Sequence, residues 1–336
     1  MKDMLNKLLI LRLPGIGPVK YRTLLDEFGS DENIVEHLNL DEDFVDTVKR
    51  EMDNAFDMGI EYICDTDSRY PVGLLNVKNH PIVISVRGNV SALSKQCVSI
   101  VGTRHATVAG MNFISEIANE FANHNNVVVS GMAMGTDSAA HRGALSANGD
   151  SQTAAVLAGG VDYIWPLENE SLYYEILERG ALISEMPVGM VPNGQNFVQR
   201  NRWIAAMSDI LVIGEADAKS GSMTTARFAM DYNKQLFAVP GHPSDARSTG
   251  PNSLIKSGNA IMCTSSKDFF ADVKDVKNKK NMNLENEILD KLGMIPVSES
   301  VLANLVKKTV SEIKADLVVL ELQGLIRKQD GGYVLG

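Results

Sequence analysis

The chain is poor in cysteine, in tryptophan and in positive charge, and it has no long apolar run. Its 336 residues include three cysteines, Cys64, Cys97 and Cys263. They are widely spaced and stand apart from any histidine cluster, which argues against both a zinc site and a disulfide framework and fits a reducing cytoplasm. No metal or other cofactor is expected. Arg12, Pro14, Lys20 and Arg22 interrupt the first 25 residues, so neither a secretory leader nor a membrane span is expected there, and no other run reaches spanning length. Lys and Arg number 32 against 42 Asp and Glu, a formal net charge of −10. That balance excludes a surface coated in positive charge for bulk nucleic-acid binding, so any such binding must use a focused basic site.

What is present is an ordinary globular composition, 44% hydrophobic and 22% charged, long enough for two or three domains. Residues 1–58 carry Leu5, Leu8, Leu9, Leu24, Leu25, Phe28, Val35 and Leu38 at helical spacing, broken by Pro14-Gly15-Ile16-Gly17-Pro18. They predict a small helical domain of the SAM or helix-hairpin-helix kind. Residues 60–95 add apolar runs at Ile60–Ile63 and Ile82–Val86 that suit an edge extension of the next domain.

From about residue 97 to 263, short β-rich runs alternate with helix-length segments. The runs are Cys97–Val101, Val127–Ser130, Ala154–Ala158, Leu182–Ser184, Ile210–Ile213, Leu236–Val239 and Ala260–Cys263. Such alternation predicts an α/β, Rossmann-like, doubly wound and mostly parallel sheet over 59–266. Ligands on such sheets bind where loops leave the carboxyl ends of the strands. A polar stretch, 267–283, reads as a linker. Residues 284–336 then predict three helices and a hairpin, a winged-helix-like domain. Ser298 and Ser311 are candidate caps, Gly324 closes the third helix, and Asp330-Gly331-Gly332 marks the hairpin turn.

Four loops at strand ends carry the candidate chemistry. Gly102, Thr103 and Arg104 combine close backbone approach, a hydroxyl and a guanidinium. Ser130, Gly131, Met132 and Gly135 open a helix, where N–H groups suit an anion such as phosphate. Asp137 in that loop is either a cap or a catalytic acid, and His141 one turn later suits packing. Phe197, Arg200, Asn201 and Arg202 combine an aromatic with phosphate-pairing cations. Arg200 and Arg202 point differently on a helix, so one suits ligand and the other an internal ion pair. Ser220, Gly221 and Ser222 open another helix, and Glu215 just before them is placed to orient an arginine. Together the four loops point to a phosphate-rich ligand. An enzyme acting on a nucleotide is the alternative. It needs an acid facing the phosphate, for which Glu215 and Asp137 are the candidates, but neither sits in a Pro-Gly-Gly-x-Gly-Thr-x-x-Glu context. An NAD-dependent oxidoreductase lacks its six-residue glycine fingerprint here.

Several segments occur together and in order: Ser99–Gly110 (SIVGTRHATVAG), Ser130–Leu145 (SGMAMGTDSAAHRGAL), Thr153–Leu167 (TAAVLAGGVDYIWPL), Phe197–Arg202 (FVQRNR), Ser220–Ala226 (SGSMTTA), Val239–Gly241 (VPG) and Gly250–Ile255 (GPNSLI). This set resembles the DNA-processing protein A family, DprA, also called Smf, strongly over 60–263. The resemblance implies a cytoplasmic protein without catalysis that binds and protects single-stranded DNA and loads RecA recombinase onto it in natural transformation. It implies phosphate contacts at Arg104, the Ser130–Gly135 turn, Arg200 and the Ser220–Ser222 turn, with Phe197 meeting a base. It also implies a homodimer paired near Leu254, Ile255 and Ile261. The chain departs from the family pattern at Pro192-Asn193-Gly194-Gln195, which lacks the basic residue usual before the Phe, at Val198 in place of a usual Pro, and at Trp165 where Tyr is common.

The flanking units are less specific. Leu13–Pro18 is either a phosphate-binding hairpin or a tight turn. The third C-terminal helix, Ser311–Leu322, buries Ile313, Leu317 and Leu320 and carries Glu312, Asp316 and Glu321 against Lys314. An acidic face is ill matched to a phosphate-lined groove. Isolated 284–336 is therefore expected to leave duplex DNA unshifted in a gel at moderate salt, and a duplex shift would overturn that expectation.

Overall fold

The computed structural model describes residues 2–149, 153–270, 288–289, 291–292, 296–322, 324–329 and 331–335. They fall into two units, Met1–Ser266 and Lys267–Gly336.

The first unit is organised by nine strands: β1 (Ile60–Cys64), β2 (Val83–Gly88), β3 (Cys97–Val101), β4 (Val127–Ser130), β5 (Thr153–Val156), β6 (Ala181–Ser184), β7 (Ile210–Ile213), β8 (Gln235–Ala238) and β9 (Ile261–Met262). They lie in the order β1-β2-β6-β5-β4-β3-β7-β8-β9. Strands β3 to β9 run parallel, while β2 pairs antiparallel with both β1 and β6. The apolar runs of 60–95 thus form an antiparallel edge extension. Every residue of β3, β4, β5 and β6 is buried. Helices cover both faces of a parallel sheet, which is why these strands read as continuous apolar runs and not as alternation. The chain winds outward from β3 through β4, β5 and β6, then returns to the other side of β3 as β7. That reversal opens a crevice at the carboxyl end of β3.

The N-terminal helices, Lys2–Leu11, Pro18–Phe28, Asp31–Leu38 and Glu42–Asp57, belong to the same unit as the sheet. Their buried Leu8, Leu9, Ile10, Tyr21, Ile34 and Val48 pack in one cluster with Ile82 and Val83 of the sheet edge. Glu51 fastens the join. It accepts from Arg12 at 2.8 and 2.7 Å, from Tyr62 Oη on β1 at 2.8 Å and from Val188 N at 3.2 Å. Burial works against this carboxylate, yet Arg12, Tyr62 and Val188 together hold its pKa below the usual range.

At the other sheet edge, Leu254 is only 4% exposed and packs into the core of its own chain. It is therefore not available to a partner subunit. Ile255 is partly buried against the same core, and Ile261 on the edge strand is exposed.

In the second unit, helices Glu299–Leu305 and Val310–Leu322 and a hairpin of β10 (Ile326–Gln329) and β11 (Gly332–Leu335) enclose Ile313, Leu317, Leu320, Ile326 and Tyr333. Most of the linker and of the first helix expected in 284–336 lies outside the described residues. Ser298 caps its helix through Val301 N. The next cap is Thr309 and not Ser311: Thr309 Oγ1 accepts from Glu312 N, and the Glu312 carboxylate accepts from Thr309 N at 2.7 Å, a reciprocal capping box. Asp316 is buried, and burial pushes its pKa up, so it does not join Glu312 and Glu321 on the exposed face.

His141 is fully buried on helix Thr136–Leu145. Its Nδ1 lies 2.7 Å from Thr153 Oγ1, which itself donates to Val128 O. Thr153 therefore accepts from Nδ1–H, and Nε2 is left as a buried acceptor without a partner. Burial first, and the nearby Arg200 second, push its pKa down to about 3. The unfolded chain takes up a proton near pH 6.5 that the fold refuses. This contribution is complete above that pH and is lost as pH falls toward the folded value, with a slope of up to about 1.4 kcal/mol per unit. Urea melts at pH 7 and pH 5 should show His141→Gln losing about 2 kcal/mol less than the parent over that interval. Equal losses would remove His141 from the acid response.

Candidate functional site

At the mouth of the β3 crevice lies a cavity of about 290 Å³. Gly102, Thr103, Arg104, Arg200, Asn201, Ser220, Gly221 and Ser222 line it, together with Val101, His105, Ala133, Asp137, Ile204 and Thr225. All four candidate loops thus face one space, the second only through Ala133 and Asp137.

The first loop leaves β3 at Val101. A Cβ on Gly102 would lie 2.3 Å from Thr136 Oγ1, so this glycine makes room for the neighbouring helix and not for a ligand. Arg104 is exposed, and among the described residues no carboxylate pairs with it. Its Cζ lies 4.9 Å from the Trp165 ring centroid and 5.8 Å from that of Phe197. Glu215 holds this loop and does not orient an arginine: it accepts from Thr107 N at 2.7 Å and Thr107 Oγ1 at 2.6 Å.

The second loop differs from expectation. Gly131 N and Ala133 N donate to Asp137 Oδ2 at 3.2 and 3.3 Å. The N–H groups read as a phosphate nest already hold an anion supplied by the chain itself. Asp137, in the first turn of the helix that Gly135 opens, holds the preceding loop, and its carboxylate is committed. Ser130 is fully buried and donates to Ile100 O at 2.6 Å. Met132 is fully buried at φ 60°. These side chains support the cavity from beneath.

Arg200 lies on helix Gly194–Ala206, whose start is fixed by an Asn193–Asn196 capping box. It is 6% exposed, and its Nη1 donates to Gly131 O and Val156 O, both at 2.6 Å. A Cβ on Gly131 would lie 2.7 Å from this guanidinium. Burial lowers the Arg200 pKa to about 10, against the pull of Asp137, so the charge persists at neutral pH. Burial also pushes the Asp137 carboxyl up, with Arg200 and the two loop N–H groups opposing it. Arg200 is thus a buried clamp whose field reaches the cavity. Asn201 accepts from Arg200 Nε at 3.1 Å and donates to Gly221 O at 3.5 Å. Arg202, about 200° further round the helix, leaves this cavity. It stacks at 4.0 Å on Trp203 and lines a separate cavity with Gly15, Gly17 and Lys20.

The fourth loop opens helix Gly221–Asp231. Its N-cap, Ser220, makes no capping bond, and its Oγ is buried without a partner. Ser222 Oγ donates to Gly102 O at 2.6 Å. The first N–H groups of a helix have no intrahelical acceptor, so this end offers donors beside Arg104.

Sequence reasoning noted Trp165 only as a departure from the family pattern and not as a site residue. Its ring packs 4.5 Å from Phe197, and Phe197 also lies under Arg200 at 5.8 Å. The available signal was position: Trp165 follows Gly159-Gly160 in the loop off the carboxyl end of β5. Among the described residues no cluster of His, Cys, Asp and Glu could hold a metal ion.

Gly135 shows how tightly the loops interlock. It sits at φ +75°, where a Cβ would lie 2.4 Å from Thr103 O. Gly189, at φ +82°, has open space around its Cβ position. In urea denaturation Gly135→Ala should cost about 3 kcal/mol and Gly189→Ala about 1 kcal/mol. Equal costs would mean that the contact between the first two loops is unimportant.

Residues 61–274 match the family described as DNA recombination-mediator protein A, and residues 281–332 match the DprA winged helix domain. A protein Smf from Synechocystis is 32% identical over 241 residues, 70% of this chain and 55% of that protein. This chain thus spans little more than half the length of that relative. The X-ray structure of DprA from Streptococcus pneumoniae aligns with a TM-score of 0.68 at 26% identity, over 80% of this chain and 96% of that one. A structure of DprA from Helicobacter pylori, described for its single-stranded DNA binding mode, aligns with a TM-score of 0.58 at 30% identity, over 65% and 97%. The family match covers well over half of the sequence, and the chain belongs to the DNA recombination-mediator protein A family, DprA or Smf, with its winged helix domain.

Proposed function

We propose that the cavity at the end of β3 binds the backbone of single-stranded DNA and catalyses no reaction. The observation that carries this reading is the exposed, unpaired guanidinium of Arg104 beside an uncapped helix start and the partnerless Ser220 hydroxyl. A phosphate there receives Arg104 and the N–H groups of Gly221 and Ser222. The buried charge of Arg200 adds to the field, and Phe197 offers a face to a base. The relative from H. pylori, whose structure concerns single-stranded DNA binding, supports the ligand class.

Hydrolysis of a nucleotide is disfavoured because both candidate acids are engaged, Asp137 by Gly131 and Ala133, and Glu215 by Thr107. The family's description as a recombination mediator supports a role in which the bound strand is protected and passed to RecA recombinase in natural transformation. The homodimer is proposed to pair through the β9 edge, where Ile261 and Met262 are 38% and 52% exposed. Two cavities on one strand then gain by effective concentration.

The test is fluorescence anisotropy with a labelled oligothymidylate across a salt series. Arg104→Ala should weaken binding about tenfold and flatten the salt dependence, with stability changed by less than about 0.5 kcal/mol. If that variant binds as tightly as the parent at every salt concentration, the cavity is not the DNA site.

A further inference from the structure

The Leu13–Pro18 turn does not line the cavity at the end of β3, and it precedes residue 61, where the family match begins. It borders a different cavity of about 450 Å³, whose lining includes Gly15, Gly17, Lys20 and Arg202 and no Asp or Glu. We propose that this cavity holds a second phosphate of the bound single strand, gripped between Lys20 of the N-terminal helices and Arg202 of the sheet domain. The proposal rests on the reading of the chain as a single-stranded DNA-binding protein.

Charge marks the cavity first. Neither Lys20 nor Arg202 pairs with a carboxylate among the described residues. In a chain with a net charge of −10, two unpaired cations that reach one space from separate elements suit an anion. Arg202 is also pre-positioned. Its guanidinium stacks 4.0 Å over Trp203, which is 3% exposed, and its Nε is buried without a hydrogen-bond partner. A buried donor left unmatched is costly, and a phosphate gives the guanidinium charged acceptors. Glu185, whose charge interacts with that of Arg202, lines another cavity, and burial pushes its pKa up.

The backbone agrees with the charge. Gly17 has an ordinary φ of −99°, and a Cβ on it would meet nothing within 4 Å. The fold therefore does not demand a glycine here, whereas close approach of a ligand to the backbone does. Gly17 is the N-cap of helix Pro18–Phe28 and makes no side-chain capping bond. The N–H groups of Val19 and Lys20 consequently have no intrahelical acceptor.

The occupant is a single strand because of where the two cavities lie. Arg200 and Arg202 leave one helix on opposite sides, Arg200 lining the first cavity and Arg202 the second. A helix with its side chains is about 10–12 Å across, so the path round it is about 17 Å. A flexible strand can take that turn. A duplex, with a persistence length of about 150 base pairs, cannot.

The experiment measures anisotropy of the full chain with oligothymidylates of about 4 and about 16 nucleotides across a salt series. The short strand has too few phosphates to span both cavities. Lys20 is exposed, and a carboxylate near a helix start suits the macrodipole, so Lys20→Glu keeps the fold. It should weaken the long strand about tenfold, lower its salt slope by about 0.7, and leave the short strand bound as by the parent. Gly17→Ala should weaken the long strand in the same selective way. Lys49→Glu makes the same charge change outside the cavity lining and should alter neither length. Arg104→Ala should weaken both. Parental binding of the long strand by Lys20→Glu, or an equal loss from Lys49→Glu, would overturn the second site and leave the first standing. A loss by Lys20→Glu confined to duplex of the same length would overturn the single-strand assignment. Arg104→Ala binding both lengths as the parent does would overturn the reading on which the proposal rests.

Discussion

The carboxylate of Asp137 sits beneath the loop that leaves β4, accepting the N–H groups of Gly131 and Ala133, while Arg200 grips the same loop through Gly131 O. Both side chains are buried and each is satisfied by the loop itself, Asp137 by two N–H groups and Arg200 by a carbonyl, since a buried polar group left without partners is costly. The geometry of the site follows from this arrangement. Arg200 fixes helix Gly194–Ala206 against β4 and β5, which sets Phe197 one turn earlier at the rim. Asn201, bonded to Arg200 Nε, reaches Gly221 at the start of the next helix. One buried arginine thus aligns three elements around a space that it also lines.

The sheet was legible in the sequence because its strands are buried on both faces, and runs such as Val127–Ser130 leave no alternation to misread. The position of the Arg104 loop was legible for a similar reason: a buried run ending in Gly-Thr-Arg places the arginine at the carboxyl end of β3. The Ser130–Gly135 loop was not. A glycine-rich helix start reads the same whether its anion comes from outside or, as here, from Asp137 a few residues on. Arg200 and Arg202 could be told to diverge, but which of them turned inward depended on the carbonyls of Gly131 and Val156, far away in sequence. Trp165 and Leu254 escaped for the same physical reason. What an aromatic or a leucine touches is decided by tertiary neighbours, and neither carries a local pattern that names them.

For an acidic chain to bind an acidic polymer as proposed, its positive potential must be confined. Here the confinement is structural: Arg202 is turned away on its helix, Arg200 is buried, and Arg104 is left exposed at the crevice. At about 0.1 M salt, charges more than about 10 Å away are largely screened. The net charge of −10 therefore acts weakly on a phosphate seated beside Arg104. The N-terminal helices are tied to β1 and to the loop at Val188 through Glu51, so they share the rigidity of the sheet that carries the site.

The two edges of the sheet are built differently. β1 is flanked by an ion-paired group in which Arg69 binds both Glu61 and Asp67, at 2.7 and 2.8 Å, whereas β9 is two residues long and exposes Ile261 and Met262. A flat sheet with two sticky edges is a bifunctional monomer and polymerises. With one edge closed by charge, the molecule is monofunctional. Were the proposed pairing to run through β9, the first coupling would also be the last, and the fold itself would act as the chain stopper.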